Sequence, residues 1–266
     1  MPIMISKNYA VVTGASSGIG WHISRELAAR GYSIVAVSNQ SENLTKLKSE
    51  LEETYGSSVH TIDCDLSTPG AAESVYNYCS KRELQVEVLV NNAGMLVFGE
   101  TMTVDMKRIK TILQLHMNTP VLLCRFFGTH MVENQKGYIL NISSISSVMP
   151  FPTISLYGPT KSFLRGFTRA LRSEVKGSGV SVSCLIPGAT ATALYDTDKL
   201  NLPMLVRLRI MKRPENVARA GVNALFRGKA ERVPGLINKF ILLFIPLIPH
   251  AFVGYIYKKR AGRKGK

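Results

Sequence analysis

The sequence predicts an α/β fold built on a single doubly wound parallel sheet, followed by a C-terminal hydrophobic and then basic extension. Three observations carry that prediction. Apolar, β-branched runs alternate with helical stretches up to about residue 235, the pattern of a parallel sheet covered on both faces. A glycine-rich turn, Thr13-Gly14-Ala15-Ser16-Ser17-Gly18-Ile19-Gly20, follows the first of these runs. Beyond residue 235 the alternation stops, and an apolar run leads into a basic end.

The first strand is expected at Tyr9 to Thr13, and the glycine-rich turn delivers the chain from it into a helix at Ile19 to Ala29. Ser33 to Val37 is the next β-branched run, with a helix at Asn43 to Thr54 that stops just before Gly56. Val59 to Asp63 and the helix Ala71 to Lys81 repeat the unit. Val88 to Asn91 follows, and the helical stretches Asp105 to Leu113 and Pro120 to Glu133 precede Tyr138 to Ile142. Ser162 to Lys176, Val180 to Leu185 and Glu215 to Phe226 continue the pattern, and a last strand lies near Val233. Alternation this regular leaves no room for a separate N-terminal domain. Residues 1–235 form one domain in this reading, and residues 236–266 the extension.

The bulk numbers narrow the function classes. A chain of 266 residues with 45% apolar composition can bury a full core. Its net charge of +15 is unevenly placed: residues 1–198 hold 17 basic and 16 acidic side chains, and residues 199–266 hold 16 basic and two acidic ones. The excess therefore marks a local surface rather than a charged body. Nucleic acid is not the expected partner, because Phe240, Phe244 and Phe252 lie in apolar runs and do not interleave with the charges. Cys64, Cys79, Cys124 and Cys184 form no paired motif, and the first residues are too short for a signal h-region, so a reducing cytoplasm is expected. The five histidines show no ligand spacing, and no metal site is expected.

The chemistry is written in three residues. Tyr157 and Lys161 are four apart, which puts phenol and ammonium on one helix face. A lysine there favours phenolate, and a tyrosine with a reference pKa of about 10 becomes a usable general acid or base when so lowered. Ser144 lies thirteen residues before Tyr157, at the end of a strand, where its hydroxyl can hold a reacting oxygen. At the other end, Gly14, Gly18 and Gly20 let the backbone approach a pyrophosphate at a helix N-terminus. Pro159 between Tyr157 and Lys161 is tolerated only in a first turn, so the helix is expected to start close to Tyr157.

Thr13 to Gly20, Asp65, Asn91 to Gly94, Asn118, Ser144, Tyr157 with Lys161, and Pro187-Gly188 agree in order and spacing with the classical short-chain dehydrogenase/reductase family, which the chain resembles over about residues 5–235. The resemblance implies a Rossmann fold and a hydride-transfer enzyme acting on a carbonyl or secondary alcohol. It implies that Tyr157 gives the proton, Lys161 binds the nicotinamide ribose, Ser144 polarises the carbonyl, and Asn118 holds a water relay to the lysine; a helix-bend asparagine is the competing reading of Asn118. It further implies a cofactor shell of Gly14, Ser16, Ser17, Gly18, Ile19, Gly20, Ser38, Asn39, Asp65, Leu66, Asn91, Ala93, Gly94, Tyr157, Lys161, Pro187, Gly188, Thr190 and Thr192, with Asn91 lying along the adenosine while buttressing the sheet. Family members are often homodimers or homotetramers.

Cofactor choice is read at the end of the second strand. Ser38-Asn39-Gln40 offers no acid to repel a 2′-phosphate and no arginine to bind one. NADP(H) is favoured, with NAD(H) as the alternative. The segments Met95 to Phe98, Val148 to Pro152 and Leu194 to Ile210 are apolar and suit a lipophilic ketone or alcohol. Phe240 to Tyr257 is apolar but holds two prolines, and six basic residues follow it. Lying in the interface of an anionic membrane, on its cytoplasmic face, fits better than packing on the body or crossing. A membrane-facing reductase with an apolar mouth is similar to the lipid and sterol branch, with 3-ketosphinganine reductases ranked just ahead of hydroxysteroid dehydrogenases. A non-catalytic NADP(H) sensor or scaffold and a reductase of a small non-lipid ketone are the alternatives.

Overall fold

Seven parallel strands stand in the order β3-β2-β1-β4-β5-β6-β7, so the chain winds outward from β1 in one direction and returns to wind the other way. The computed structural model describes residues 8–149, 151–192 and 211–264. The strands are β1 (Tyr9–Thr13), β2 (Ser33–Ser38), β3 (Val59–Asp63), β4 (Val86–Asn91), β5 (Gly137–Ile142), β6 (Val180–Leu185) and β7 (Glu231–Arg232). The expected strand near Val233 is this last one, two residues long and just before that valine. Every residue of β2 is buried, as a central parallel strand requires.

Two layers of helices close the sheet. On one face α1 (Gly18–Ala28), α2 (Ser41–Tyr55) and α7 (Pro214–Phe226) bury Ile23, Leu27, Leu44, Leu47, Leu51, Val217 and Val222 against side chains of β1 to β6, with α7 over β5 and β6. On the other, α3 (Ala71–Lys81), α5 (Thr119–Glu133) and α6 (Tyr157–Glu174) bury Val75, Leu123, Phe127 and Met131. Fully burying one such aliphatic or aromatic side chain contributes about 1.5–3 kcal/mol. α4 (Met106–Leu113) runs into α5 through a π-helical turn, Gln114–Asn118, that joins the two expected helices. α6 begins at Tyr157, so Pro159 lies in its first turn, where its missing amide costs no helical bond.

The extension forms α8 (Leu236–Phe244), a 3-10 turn at Ile245–Leu247 and α9 (His250–Lys264). α8 buries none of its residues. Among the described residues no single helix is long and apolar enough to cross a membrane; Leu236–Leu247 and Ala251–Lys259 bend by 102° relative to one another.

The candidate active site

The switch point between β1 and β4 opens a cleft at the carboxyl ends of the strands, where open α/β sheets hold ligands. The cavity measures about 500 Å³. Its wall contains Gly14, Ser16, Ser17, Gly18, Ile19, Ser38, Asn39, Asp65, Leu66, Ala93, Gly94, Ser144, Tyr157, Lys161, Pro187, Gly188, Thr190 and Thr192, all named from the sequence.

At the glycine end the backbone leaves no space for side chains. Gly14 has φ of +63°, and a Cβ there would lie 2.9 Å from Ala93 Cα. A Cβ on Gly20 would lie 2.2 Å from Gly14 O. Gly20 therefore closes the turn from beneath and is absent from the wall. Asn92 pins the loop: its Nδ2 donates to Thr13 O at 3.0 Å and Gly14 O at 3.1 Å, while its amide donates to Thr13 Oγ1 at 2.9 Å. Ser38 Oγ donates to Ser16 Oγ at 2.9 Å, joining the ends of β2 and β1. Asp65 Oδ1 accepts from the amide and hydroxyl of Ser67 at 2.9 and 2.8 Å. A pocket of close-packed backbone, serines and neutral amides fits a dinucleotide, whose pyrophosphate needs amide donors and whose approach a Cβ would block.

At the other end β5 and α6 interlock. Ser143 Oγ donates to Lys161 O at 2.7 Å, and Lys161 Nζ donates to Ile142 O at 3.0 Å. Burial lowers the Lys161 ammonium to about 8, partly offset by Cys184 beside it. Its Nζ lies 5.9 Å from the Tyr157 ring centroid. Ser144 caps the 3-10 turn Ile145–Val148, its Oγ accepting from Ser146 N at 3.2 Å. A Cβ on Gly158 would approach Ser146 O to 3.0 Å, so the first turn of α6 sits hard against that cap. Ser144 and Tyr157 are thus brought into one wall by two adjoining backbone turns.

Two expectations are corrected. Asn118 is exposed, bonded through Nδ2 to Gln114 Oε1 at 2.9 Å, and outside the cavity wall. The π turn points the imidazole of His116, two residues earlier, toward Tyr157 and Lys161, with ring centroids of His116 and Tyr157 5.7 Å apart. Asn91 keeps half of its implied role: it stands outside the wall, while its Nδ2 donates to Asn141 Oδ1 at 2.8 Å across β4 and β5 and buttresses the sheet as the resemblance implies, and Asn92 faces the loop. Successive strand residues point to opposite faces, which separates the two asparagines. Of the apolar segments expected beyond the nicotinamide, Met95 joins the wall, Val97 is buried elsewhere, and Phe98 is exposed. Gln40, from the segment that reads cofactor choice, also lines the cavity, as do Cys64, Ser67, Thr111, Leu115 and Ser143, to which sequence reasoning gives no site role. Leu194 to Ile210 and Pro150 lie outside the described residues. No group of three or more potential metal ligands occurs among the described residues.

The family model described as short chain dehydrogenase matches residues 8–201. Human 17-beta-hydroxysteroid dehydrogenase type 3 is 32% identical over 91% of this chain and 75% of its own length. Very-long-chain 3-oxoacyl-CoA reductase of Anas platyrhynchos is 30% identical over 94% and 74%. Among solved structures, L-sorbose reductase from Gluconobacter frateurii, complexed with NADPH and L-sorbose, superposes with a TM-score of 0.77 at 26% identity, over 89% of this chain and 99% of that one.

Proposed function

The chain belongs to the short-chain dehydrogenase family, and from that premise we propose that it reduces the ketone of a lipophilic substrate with NADPH. It is an oxidoreductase of the NAD(P)-dependent kind. The observation that carries the proposal is the single cavity shared by the glycine cradle and the Ser144, Tyr157 and Lys161 side chains.

NADPH, when bound, supplies the hydride. Ser144 Oγ donates to the carbonyl oxygen and polarises it. Tyr157 gives its phenolic proton to that oxygen as the carbon becomes tetrahedral, and it is reprotonated from solvent afterwards. Lys161 remains cationic below about 8 and holds the phenolate down in energy. Gly14, Ser16, Ser17 and Gly18 would hold the pyrophosphate, and Asp65 the adenine side. Ser38, Asn39 and Gln40 line the end of β2 without an acid, which supports a 2′-phosphate there. Superposition on an NADPH complex supports the same choice.

The two relatives bear steroid and 3-oxoacyl-CoA substrates in their names, and both kinds of ketone are carried on large apolar frames. Neither is a 3-ketosphinganine reductase, and that substrate loses its first rank. The surface around the mouth supports lipid delivery. Phe98, Met102 and Met106 are exposed on the loop after β4 and at the start of α4, and Phe240, Leu243, Phe244, Leu247 and Phe252 on the extension. Tyr257 of α9 donates to the Glu100 carboxylate, tying the two sets together. α8 packs against the turn capped by Ser144, and a Cβ on Gly188 would lie 2.4 Å from Asn238 of α8. An exposed apolar area of this kind marks a partner or a membrane, and the basic residues Lys239, Lys258 and Lys259 suit anionic headgroups. The apolar rim lies in the membrane interface with the mouth facing the lipid.

Consumption of NADPH by the full chain in detergent micelles tests this reading, with a long-chain 3-oxoacyl-CoA, a 17-ketosteroid, 3-ketosphinganine and L-sorbose as substrates and NADH as control. Turnover of a lipid ketone with NADPH is expected. Turnover of the sugar alone, or equal use of NADH, would overturn the substrate or cofactor assignment respectively.

A further inference from the structure

His116 is 1% exposed and sits in the π-helical turn Gln114–Asn118. Single π turns inside helices occur often at functional sites. Both ring nitrogens are engaged. Met95 N lies 3.0 Å from Nε2, and a backbone amide can only donate, so Nε2 carries no proton. A neutral ring then holds its proton on Nδ1, which donates to Thr160 Oγ1 at 2.9 Å. The Thr160 hydroxyl in turn donates to Tyr157 O at 2.9 Å. One hydrogen-bonded chain therefore runs from the loop after β4, through the imidazole, to the backbone of Tyr157.

The surroundings keep that ring neutral. Burial, and after it the Lys161 charge, hold His116 well below the ordinary histidine value. The two groups converge at Gly94, where a Cβ would lie 3.1 Å from His116 Nε2 and 3.5 Å from Lys161 Nζ. The ring also stands edge-on to the Tyr157 ring, with an interplanar angle of 69°.

We propose that His116 is a positioning residue of the hydride-transfer site: a neutral imidazole of fixed tautomer that ties the Met95 loop to the Tyr157–Thr160 turn and so sets the direction of the Tyr157 phenol relative to Lys161. The inference rests on the reading of Tyr157 as proton donor. His116 hands no proton to substrate, since both its nitrogens are committed to positioning bonds. Its effect is geometric, and small displacements of a general acid are costly to catalysis.

The test uses the full chain with NADPH bound and needs no turnover for its first readout. Ring-Cζ-labelled tyrosine, assigned with Tyr157→Phe, reports the titration of Tyr157 by NMR. His116→Ala and Thr160→Val break the same chain from its two ends, and each is expected to raise the Tyr157 pKa by letting the phenol turn from Lys161. The double variant is expected to raise it no further. His116→Gln, which can still accept from Met95 N, and His116→Asn, which can still donate toward Thr160, should each restore part of the shift. With a reducible ketone, kcat is expected to fall about 10²-fold in the two single variants while the KM for NADPH holds. A Tyr157 titration unchanged in both single variants, with only thermal stability lowered, would overturn the proposal. If His116→Ala does not fold, Thr160→Val decides alone. Failure of the wild-type chain to reduce any ketone would sink the proposed function, and the titration would still settle the role of His116.

Discussion

At the glycine end of the cleft, the ends of β1, β2 and β4 meet within hydrogen-bonding distance, joined by the Ser38–Ser16 bond and by Asn92 to Thr13 and Gly14. At the mouth, the loop after β4 and α8 present Phe98, Met102, Phe240 and Phe244 to solvent, and α8 buries no residue at all. The first region is determined by its own backbone, and a cofactor needs only to enter it. The second presents an apolar surface, which the proposed function assigns to lipid. Specificity for the cofactor is therefore stored in local geometry, and access for the substrate is stored in a surface.

Removing the chemistry while sparing the glycine cradle gives the largest separation between the two regions. Tyr157→Phe is expected to lower turnover by about 10²–10⁴-fold, the contribution of a general acid, while NADPH affinity, measured by fluorescence titration, stays near wild type. Comparable activity in this variant would contradict the catalytic assignment. The mouth is broken by Phe240→Glu, Leu243→Glu and Phe244→Glu together, all at exposed positions. Affinity for vesicles containing phosphatidylserine should drop by about tenfold per lost side chain, with NADPH binding unchanged; retained vesicle binding would dismiss the rim.

Smaller effects sharpen the cradle. Ser38→Asp places an acid at the end of β2 and should shift preference from NADPH toward NADH by about tenfold, read from the ratio of kcat/KM values. An unaltered ratio would mean that the 2′-phosphate lies elsewhere. The smallest effect is a slope. Lys161 titrates near 8 in the folded chain, against about 10.4 when unfolded. Between those values the unfolded chain binds more protons, so this residue's contribution to stability rises with pH, by at most about 1.4 kcal/mol per pH unit. Urea unfolding of wild type against Lys161→Met, without NADPH, should show that difference growing in favour of wild type across the window; a flat difference would mean that the lysine is not desolvated.

The same contrast explains what could be read in advance. Buried parallel strands demand β-branched runs, and tight turns demand glycine, so β1 to β6 and the Thr13 to Gly20 loop are written in residue type. Ser144, Tyr157 and Lys161 are fixed by spacing along one strand end and one helix. Asn118 fits its competing reading, a helix-bend asparagine bonded to Gln114, and the π turn that forms the bend adds a residue that no helical periodicity contains. The signal that could have found His116 was a polar ring between Leu115 and Met117 in an otherwise apolar stretch. The buttressing role of Asn91 was implied by the resemblance, and its pairing with Asn141 across β4 and β5 carries it; that Asn92 rather than Asn91 faces the cavity follows from the strand's phase, which the motif alone does not contain. The mouth was legible only as apolar composition, because exposed side chains are not constrained by packing in the way buried ones are.

The most direct measurement of the central claim follows the hydride itself. NADPH deuterated at the transferable position is incubated with the full chain and a long-chain 3-oxoacyl-CoA or a 17-ketosteroid, and the alcohol product is examined by mass spectrometry. The account predicts deuterium on the carbinol carbon of at least one lipid product with wild type, and about 10²–10⁴-fold slower product formation with Tyr157→Phe. Tight NADPH binding without deuterated alcohol from either lipid would contradict it and leave a cofactor-binding protein that does no reduction of lipids.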